Sequence, residues 1–463
     1  MTKSARWLRK GDEETNETIP ASRISTQARA LRKREAITLA AILALAFTLR
    51  AVWLLQSGSN WAIATDSHLY LSLARGIHNG CGFTPFDLHR GAPEVLRTPG
   101  YPMFLVPFLS NYRTVIYIQA LMGTLVCLLA ARFTAKRFGW TSALVAAMII
   151  AVDVPTILAS KELLTEALFQ LLFTIAIFSA LAGYAFSSGI LLGATALVRP
   201  VAEPMITMIV LPFILVKRWR GAAVAAGMAI LVICAWAYRN HNVAGVFTLT
   251  VEGSMNLYSY TVPGILARHD GVSLAQAQGF AASEVARVAF ADRPEMLART
   301  RTMPPHDVIL WATQTTPAIA GMMSSRSAVT ILQHPIDAAF VTLGGLARLA
   351  FMPHEPEVGL AQIAKSPQQF VTIKFGSMAF EGAMLAFVWI GVLQALWRNP
   401  RDANLLVLLC TALLFLLAAA PYVDGFDARF RSPAIPFLAI LAGAGWGMSK
   451  HGRYGEEVPR AVR

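Results

Sequence analysis

The chain has 463 residues, of which 55% are hydrophobic and only 14% are charged, and its formal net charge is +13. So few charges exclude an ordinary soluble domain and indicate a polytopic membrane protein. The positive charge does not indicate binding to nucleic acid, because the lysines and arginines collect at the ends of apolar stretches and not on one face. The four cysteines have no metal-ligand spacing, so they predict neither a metal centre nor a disulfide framework.

The apolar stretches predict an all-α bundle of about ten transmembrane helices, because most can cross about 30 Å of hydrocarbon at about 1.5 Å per residue. In chain order they lie near 36–56, 113–133, 139–157, 162–183, 188–199, 201–216, 219–238, 378–397, 403–420 and 432–448. They divide into an N-terminal core (36–238) and a C-terminal group (378–448). Residues 1–35 and 449–463 are expected to be cytoplasmic tails.

The basic clusters predict the orientation, because loops rich in lysine and arginine stay on the cytoplasmic side. Such clusters occur at 28–35, 132–139, 217–221, 398–402 and the C-terminus. Both termini are therefore expected in the cytoplasm, with two large outer loops at 57–112 and 239–377. The apolar segment 334–351 is expected to lie in the membrane interface, because a crossing there would move 398–402 to the outer side. Whether residues 336–352 cross stays open at this point.

The stretches 188–199 and 201–216 are each too short for an ordinary crossing. The segment before the pair and the segment after it both look cytoplasmic. Two short helices that meet at Arg199 and Pro200 would resolve this conflict, with their junction inside a cavity lined by protein. Arg199 would then either pair with Glu203, four residues on, or bind an anion in that cavity.

The first outer loop carries polar residues at both of its ends. Asp66 stands at the start of a predicted amphipathic helix (64–77) that contains Tyr70, where a carboxylate either caps the helix or performs chemistry. The loop ends with VLRTPGYP (95–102), whose prolines and glycine predict a turn that carries Arg97 and Tyr101 at the membrane edge.

Three charged residues, Lys161, Glu162 and Glu166, are expected at the outer mouth of the next helix. Glu162 and Glu166 are four residues apart, which predicts that they share one helix face. There they either stabilise the positive helix end or serve a site, and Glu166, one turn deeper, favours the second interpretation.

More polar groups reach the outer side from later parts of the chain. Asn256 and Tyr258 suit either a sugar or an ordinary interfacial belt. The segment before the last span holds two acids and two arginines, and Arg431 could simply extend to the interface. These four residues are Asp424, Asp427, Arg429 and Arg431.

Taken in order, these motifs resemble those of the integral-membrane GT-C glycosyltransferases, over residues 36–448. The similar features are an acid at the start of the first outer loop, R-x-P-G-Y-P at its end, T-E-x-L-F, L-x-R-P, W-x-x-R-N before the second loop, and R-F-R-x-P-x-x-P-F-L. The branch it resembles most holds the lipid A aminoarabinose transferase and the protein O-mannosyltransferases. Its members transfer a sugar from a polyprenyl-phosphate-linked donor on the outer face of the membrane.

The resemblance implies roles for individual residues. Asp66 matches the catalytic acid, Arg97 the residue at the lipid phosphate, and Glu166 the second acidic position, while Arg199 and Arg429 match arginines of the cavity. The remaining candidates are Lys161 and Glu162 beside the second acid and Tyr70, Tyr101, Asn256 and Tyr258 as substrate contacts. Serine follows Asp66 where many members have a second acid, so no metal is assigned. A divalent metal as cofactor stays an open alternative that the sequence does not support.

The function expected from this resemblance is an inverting glycosyltransferase of a bacterial inner membrane. Its partners would be a polyprenyl-phosphate-linked sugar and a lipid, glycan or protein acceptor of unknown identity. A transporter or flippase of a lipid-linked or anionic solute is the alternative, since arginines and broken helices occur there too. A ligase that moves whole glycan chains is a third interpretation.

Overall fold

The computed structural model describes residues 21–52, 65–86, 93–353, 366–422 and 428–447. Within these ranges all regular secondary structure is helical. Together with the apolar composition of the helices, this confirms the predicted all-α polytopic membrane protein. The predicted tail 449–463, and Asp424 and Asp427, lie outside the described residues.

Ten α-helices precede the second large loop in the described part of the chain. They are α1 (Ala21–Ala51), α2 (Thr65–His78), α3 (Gly100–Leu105), α4 (Arg113–Phe138), α5 (Trp140–Val152), α6 (Val154–Ala159), α7 (Glu166–Leu181), α8 (Ala185–Val198), α9 (Ile206–Leu215) and α10 (Trp219–Ala244). Short 3-10 helices cover Val106–Phe108 and Pro200–Met205.

The second large loop is itself helical where it is described, and the C-terminal helices follow it. These elements are α11 (Glu252–Asn256), α12 (Val262–Asp270), α13 (Leu274–Ala289), α14 (Pro294–Thr300), α15 (Pro305–Thr315), α16 (Ile319–Gln333), α17 (Pro335–Phe351), α18 (Pro367–Arg398), α19 (Ala403–Ala419) and α20 (Ile435–Gly447). A π-helical turn covers Leu257–Thr261, and 3-10 turns cover Ala420–Tyr422 and Ala428–Ala434.

Three of the described helices, α4, α10 and α18, are long and apolar enough to cross a membrane. Five shorter apolar segments accompany them: Trp140–Val152, Glu166–Leu181, Ala185–Val198, Pro200–Leu215 and Ala403–Ala419. They occupy the positions of the predicted spans, but several are interrupted. The interruptions are concentrated at one end of the bundle, where they create space for polar side chains.

Several helix boundaries differ from the predicted ones. Helix α1 starts at Ala21, before the predicted boundary at Ala36, because the basic stretch between them consists largely of good helix formers. The predicted span 139–157 breaks at Asp153, whose carboxylate accepts a hydrogen bond from the amide of Thr156 and so caps α6. Helix α18 begins at Pro367, well before the predicted start at 378.

The prediction that Glu162 and Glu166 share a helix face is wrong. Residues 160–165 form turns, and α7 begins only at Glu166. Glu162 is therefore outside the helix, and its side chain lies beside Lys161, with 3.8 Å between Nζ and Oε1.

Two of the predicted basic clusters, 132–139 and 398–402, lie at the same end of the bundle. There Arg137 on α4 pairs with Asp402 before α19 at 3.2 Å, and Arg398 donates to the carbonyl of Gly445 at 2.6 Å. The interrupted helix ends and the second loop lie at the opposite end.

Two hydrophobic cores support this arrangement. The larger one lies between the membrane helices and includes Phe169, Phe173 and Phe437, all fully buried. The smaller one joins the helices of the second loop to Val95 and Leu96 of the first loop. The two outer loops thus pack together as one layer over the end of the bundle that lies opposite the basic clusters.

The segment VLRTPGYP is held against α8 by a close approach. Thr98 Oγ1 donates to the carbonyl of Val198 at 3.0 Å, and a Cβ at position 100 would lie 2.7 Å from the carbonyl oxygen of Leu197. Only glycine fits there without moving the backbone. The chain turns at Pro99 as predicted but continues as helix α3 from Gly100, so the segment positions Arg97 rigidly.

Helix α17, predicted to lie in the interface, packs against the outer ends of the last helices. Gly345 meets the backbone of Ala420, and Arg431 donates to the carbonyl of Leu349 at 2.9 Å. Arg431 is fully buried and pairs with Glu381 of α18. The alternative in which Arg431 extends to the interface is therefore wrong, because buried partners satisfy its charge.

Candidate active site

A cavity of about 680 Å³ lies at the end of the bundle opposite the basic clusters. Both outer loops and the interrupted membrane helices contribute to its walls. Seven of the predicted site residues line it together: Asp66, Tyr70, Arg97, Glu166, Arg199, Asn256 and Arg429.

Arg97 is positioned by the backbone of both outer loops. Its amide donates to the buried Glu94 carboxylate at 3.1 Å, and the carbonyl of Val95 accepts from the amide of Val251 at 3.1 Å. Thr250 Oγ1 also donates to the carbonyl of Leu96. These bonds bring the second loop alongside Arg97, although more than 150 residues separate them in the chain.

The guanidinium of Arg97 bridges two carboxylates. Nη2 donates to Asp66 Oδ1 at 2.7 Å, and Nη1 donates to Glu252 Oε1. The Arg97 side chain is 13% exposed and that of Asp66 is 34% exposed, so the group faces the cavity and is not sealed. Asp66 lies in the first turn of α2 but is engaged with Arg97, which argues against a purely capping role.

Glu166 and Arg199 form a second ion pair in the cavity wall. Arg199 Nη1 donates to Glu166 Oε1 at 2.8 Å, and the Glu166 side chain is only 5% exposed. The alternative in which Arg199 pairs with Glu203 is therefore wrong. Arg199 directly follows the end of α8 and has an extended backbone conformation, which the following Pro200 favours. At this point, beside the cavity, the chain leaves the direction of α8.

Arg429 joins the site beside Arg199 through a shared aromatic ring. The guanidinium carbon of Arg429 lies 5.2 Å from the Phe430 ring centroid, and that of Arg199 lies 5.4 Å from it. Cation–π contacts of this kind hold two like charges near each other at a modest cost. The cavity is therefore lined by three guanidiniums that an anionic ligand can contact, together with the four carboxylates of Asp66, Glu166, Glu203 and Glu252.

The electrostatics of Asp66 reflect these arginines. Burial opposes its ionisation, but the charges of Arg97, Arg429 and Arg199 outweigh burial and hold the pKa of the Asp66 carboxyl below its usual value. Asp66 is therefore ionised at neutral pH and can accept a proton. While it is paired with Arg97, however, it is a weak base.

Four predicted site residues do not line the cavity. Lys161 and Glu162 lie together in the turn before α7. Tyr101 is fully buried beneath the site, where its hydroxyl donates to Gln119 Oε1 at 2.6 Å and its ring packs edge-on against Tyr70. Tyr258 is buried in the outer layer and donates to Glu284. In this structure all four belong to the surroundings of the cavity.

Four further titratable residues line the cavity that the sequence does not mark as site residues: Glu203, Glu252, Tyr260 and His306. The contact between Glu252 and Arg97 cannot be predicted from the sequence, because no residue near Glu252 in the chain indicates it. His306 follows two prolines that start α15, which marks a helix terminus but no site. The packing of the second loop onto the first brings Glu252, Tyr260 and His306 to the site, and the 3-10 turn between α8 and α9 carries Glu203.

The described residues offer one cluster with metal-ligand chemistry, formed by His269, His334 and Asp337. Their ligating atoms lie within 4.8 Å of one another, and Arg268 also pairs with Asp337. None of the three lines the cavity. Within the cavity Asp66, Glu166 and Glu252 are each paired with an arginine, and the fourth acid, Glu203, is exposed.

The apolar side of the cavity completes its chemistry. It is formed by Leu164, Val198, Val201, Phe415, Ala418 and Ala419. A ligand with an anionic head and an apolar tail can therefore place its charge at the arginines and its tail against these side chains.

Comparisons with known proteins found no matching protein-family model and no matching curated protein. Solved structures do resemble the chain. The archaeal oligosaccharyltransferase AglB from Archaeoglobus fulgidus, in complex with an inhibitory peptide and a dolichol-phosphate, matches with a TM-score of 0.46 and 14% identity over 89% of this chain. The match covers 50% of the AglB chain, so this chain spans about half the length of that protein.

ArnT from Cupriavidus metallidurans bound to undecaprenyl phosphate matches with a TM-score of 0.38 and 13% identity, over 89% of this chain and 77% of that one. The apo state of the same ArnT matches with a TM-score of 0.37 and 13% identity, over 90% of this chain and 78% of that one. AglB and ArnT both belong to the GT-C class that the sequence motifs resemble. At these TM-scores and identities the likeness carries no argument about function, which rests on the cavity.

Proposed function

We propose that this protein is an integral-membrane glycosyltransferase that moves a sugar from a polyprenyl-phosphate-linked donor to an acceptor on the extracytoplasmic face. One observation carries the proposal. A carboxylate, Asp66, and three guanidiniums, those of Arg97, Arg199 and Arg429, line a single cavity with an apolar side. The guanidiniums suit the phosphate of a lipid-linked sugar phosphate, the apolar side suits its lipid tail, and the carboxylate suits the proton transfer that accompanies attack on the sugar.

The donor phosphate binds where the arginines converge. The Nε–Nη2 edge of the planar Arg97 guanidinium can hold two phosphate oxygens once Asp66 leaves Nη2. The phosphate displaces Asp66 from Arg97, while Glu252 keeps the guanidinium in position. Donor binding thereby frees the carboxylate that the reaction needs, and the lipid tail extends along the apolar side.

Sugar transfer then proceeds in a single displacement. The acceptor oxygen or nitrogen attacks the anomeric carbon, the bond between that carbon and the phosphate oxygen breaks, and the bonding electrons leave with the lipid phosphate. Asp66 takes the proton of the acceptor as general base. Arg97, Arg199 and Arg429 stabilise the charge that develops on the phosphate, which is the largest electrostatic contribution expected here. The anomeric configuration is inverted.

The direct test uses purified protein in liposomes with undecaprenyl phosphate that carries a radiolabelled hexose or pentose, and a membrane extract as the acceptor source. We expect label to leave the lipid phosphate and to appear in an acceptor fraction. Labelled donor that crosses the bilayer intact would instead identify a transporter. Label that stays on the donor with every extract would contradict glycosyl transfer.

We also propose that the cavity faces the outside of a bacterial inner membrane and that both termini lie in the cytoplasm. Cys81 tests this orientation because it is exposed, and because Arg239 ties its loop to the site by bonds to the carbonyls of Phe83 and Glu94. A membrane-impermeant maleimide should label Cys81 in sealed cells, and a Cys81→Ser variant should lose that label. Labelling only after the cells are permeabilised would reverse the orientation.

A further inference from the structure

The proposed reaction leaves the acceptor proton on a carboxylate that holds protons poorly. The three arginines that keep the pKa of Asp66 low also make its protonated form a strong acid. The proton must therefore pass quickly to another group before Asp66 can act again. Proton acceptors in enzymes work best when their pKa is close to the working pH.

Few residues of the cavity can take that proton. Glu166 and Glu252 are engaged with arginines. Glu203 is the remaining carboxyl besides Asp66, and carboxyls ordinarily titrate near about 4, while phenols such as Tyr70 titrate far above neutral pH. Imidazole is the side chain that ordinarily titrates near neutrality. Of the residues described as lining the cavity, only His306 carries one.

We propose that His306, held in place by Tyr260, receives the acceptor proton from Asp66 and releases it to water. This inference rests on the proposed function, since it completes the path of the proton in that reaction. No bond to carbon forms or breaks in this step. A proton moves from the Asp66 carboxyl to the imidazole and then to solvent, which restores both groups.

The contact with Tyr260 fixes the imidazole. The Tyr260 hydroxyl oxygen lies 3.2 Å from His306 Nδ1, and the two rings stack with their centroids 5.6 Å apart at 29°. When Nδ1–H donates to the Tyr260 oxygen, Nε2 has a free lone pair. That tautomer can accept a proton at Nε2, so Tyr260 acts as a positioning residue.

The charges around His306 favour such a relay. Asp66 and Arg97 are both close enough to influence its titration, as is the neighbouring Asp307. His306 is exposed, so the proton it receives has a path to water. On the helices packed beside it, Glu252 pairs with Arg97, Glu284 pairs with Arg326, and Arg287 is exposed.

The sign of the pH dependence follows from these groups. Loss of hydration is the largest effect on His306 and lowers its pKa, Arg97 lowers it further, and Asp307 and Asp66 oppose them without reversing the shift. His306 is therefore neutral, and able to accept a proton, at pH 7. Transfer should rise with pH through a pKa below the ordinary histidine value of about 6.5 and then reach a plateau.

The experiment measures initial rates of label transfer between pH 5 and pH 9 for the wild type and for His306→Gln, His306→Ala and Tyr260→Phe. His241→Gln, an exposed histidine outside the cavity, is the matched control. Binding of undecaprenyl phosphate is measured for every variant, because a folded cavity retains it.

We expect His306→Gln to lower the plateau rate about 10- to 100-fold and to remove the rise with pH, while undecaprenyl phosphate binds within about twofold of wild type. Added imidazole should restore part of the rate of His306→Ala, which a purely structural histidine would not allow. Tyr260→Phe should keep the rise with pH at a rate lowered several-fold, and His241→Gln should match the wild type.

Two results would overturn the relay and leave the proposed function standing. One is an unchanged rate and pH profile in His306→Gln. The other is a joint loss of lipid phosphate binding and transfer in both His306 variants without rescue by imidazole. A wild type that transfers no label at all would reject the proposed function, and the relay with it.

Discussion

Replacement of Asp66 by asparagine is expected to lower sugar transfer about 10²- to 10⁴-fold, the range typical for the loss of a general base. The amide keeps the size of the side chain and can still contact Arg97, but it cannot accept the proton of the acceptor. Binding of undecaprenyl phosphate should persist and become several-fold tighter, because one negative charge no longer competes for Arg97. Transfer rates and lipid phosphate binding measured on the same preparation give both values.

The combination of slower transfer and tighter binding distinguishes a base from a structural carboxylate. Asp402→Asn is the matched control, because it removes one charge from an aspartate–arginine pair at the opposite end of the bundle. It should transfer sugar at the wild-type rate. Wild-type turnover in Asp66→Asn would show that Asp66 is not the base.

Replacement of Arg97 by alanine is expected to weaken binding of undecaprenyl phosphate about 10- to 100-fold, the equivalent of losing one or two hydrogen bonds between charged groups. Transfer should fall further, because the same guanidinium stabilises the charge on the leaving phosphate. Arg97→Lys should recover only part of both losses, since an ammonium lacks the planar fork.

Arg97→Ala also leaves Asp66 and Glu252 without their cation, so its folding needs a separate measurement. Thermal unfolding of the variant in detergent provides it, and Arg97→Lys retains the charge if the alanine variant unfolds. Arg137→Ala, at the basic end, is the control. A defect limited to the acceptor, with normal lipid phosphate binding, would contradict the role of Arg97 at the phosphate.

The helical architecture could be predicted because long apolar stretches have one stable solution in a bilayer, the helix. The break between two short helices at Arg199 and Pro200 could also be predicted from the sequence. Two short apolar stretches with cytoplasmic flanks required a break between them, and the structure has α8 and α9 meeting there through a 3-10 turn. Local composition and the positive-inside rule carried these predictions.

Helix boundaries depended on local caps that the hydrophobic pattern does not show. Asp153 ends one helix by capping the next, and residues 160–165 form turns before Glu166. For this reason the prediction that Glu162 lies on this helix is wrong. An apolar run predicts that a helix exists more reliably than where it starts.

Asp66 and the arginines Arg97, Arg199 and Arg429 line one cavity, and their roles there stay a prediction. Their positions beside proline, glycine and helix breaks stand out in an apolar chain. Their partners could not be predicted. Glu252 reaches Arg97 only because residues 248–252 lie along residues 95–97, and such long-range packing leaves no local signal. Tyr101 and Tyr258 were predicted as substrate contacts, but both are buried. The sequence alone does not show whether a tyrosine faces a cavity or is buried beside it.

The most direct test of the account is a structure of the protein with undecaprenyl phosphate bound. It should have the phosphate inside the cavity, within hydrogen-bond distance of the Arg97 guanidinium, with the Asp66 carboxylate released and Glu252 still attached. A phosphate bound at the basic end of the bundle, or an Asp66–Arg97 pair left intact beside an empty cavity, would contradict it.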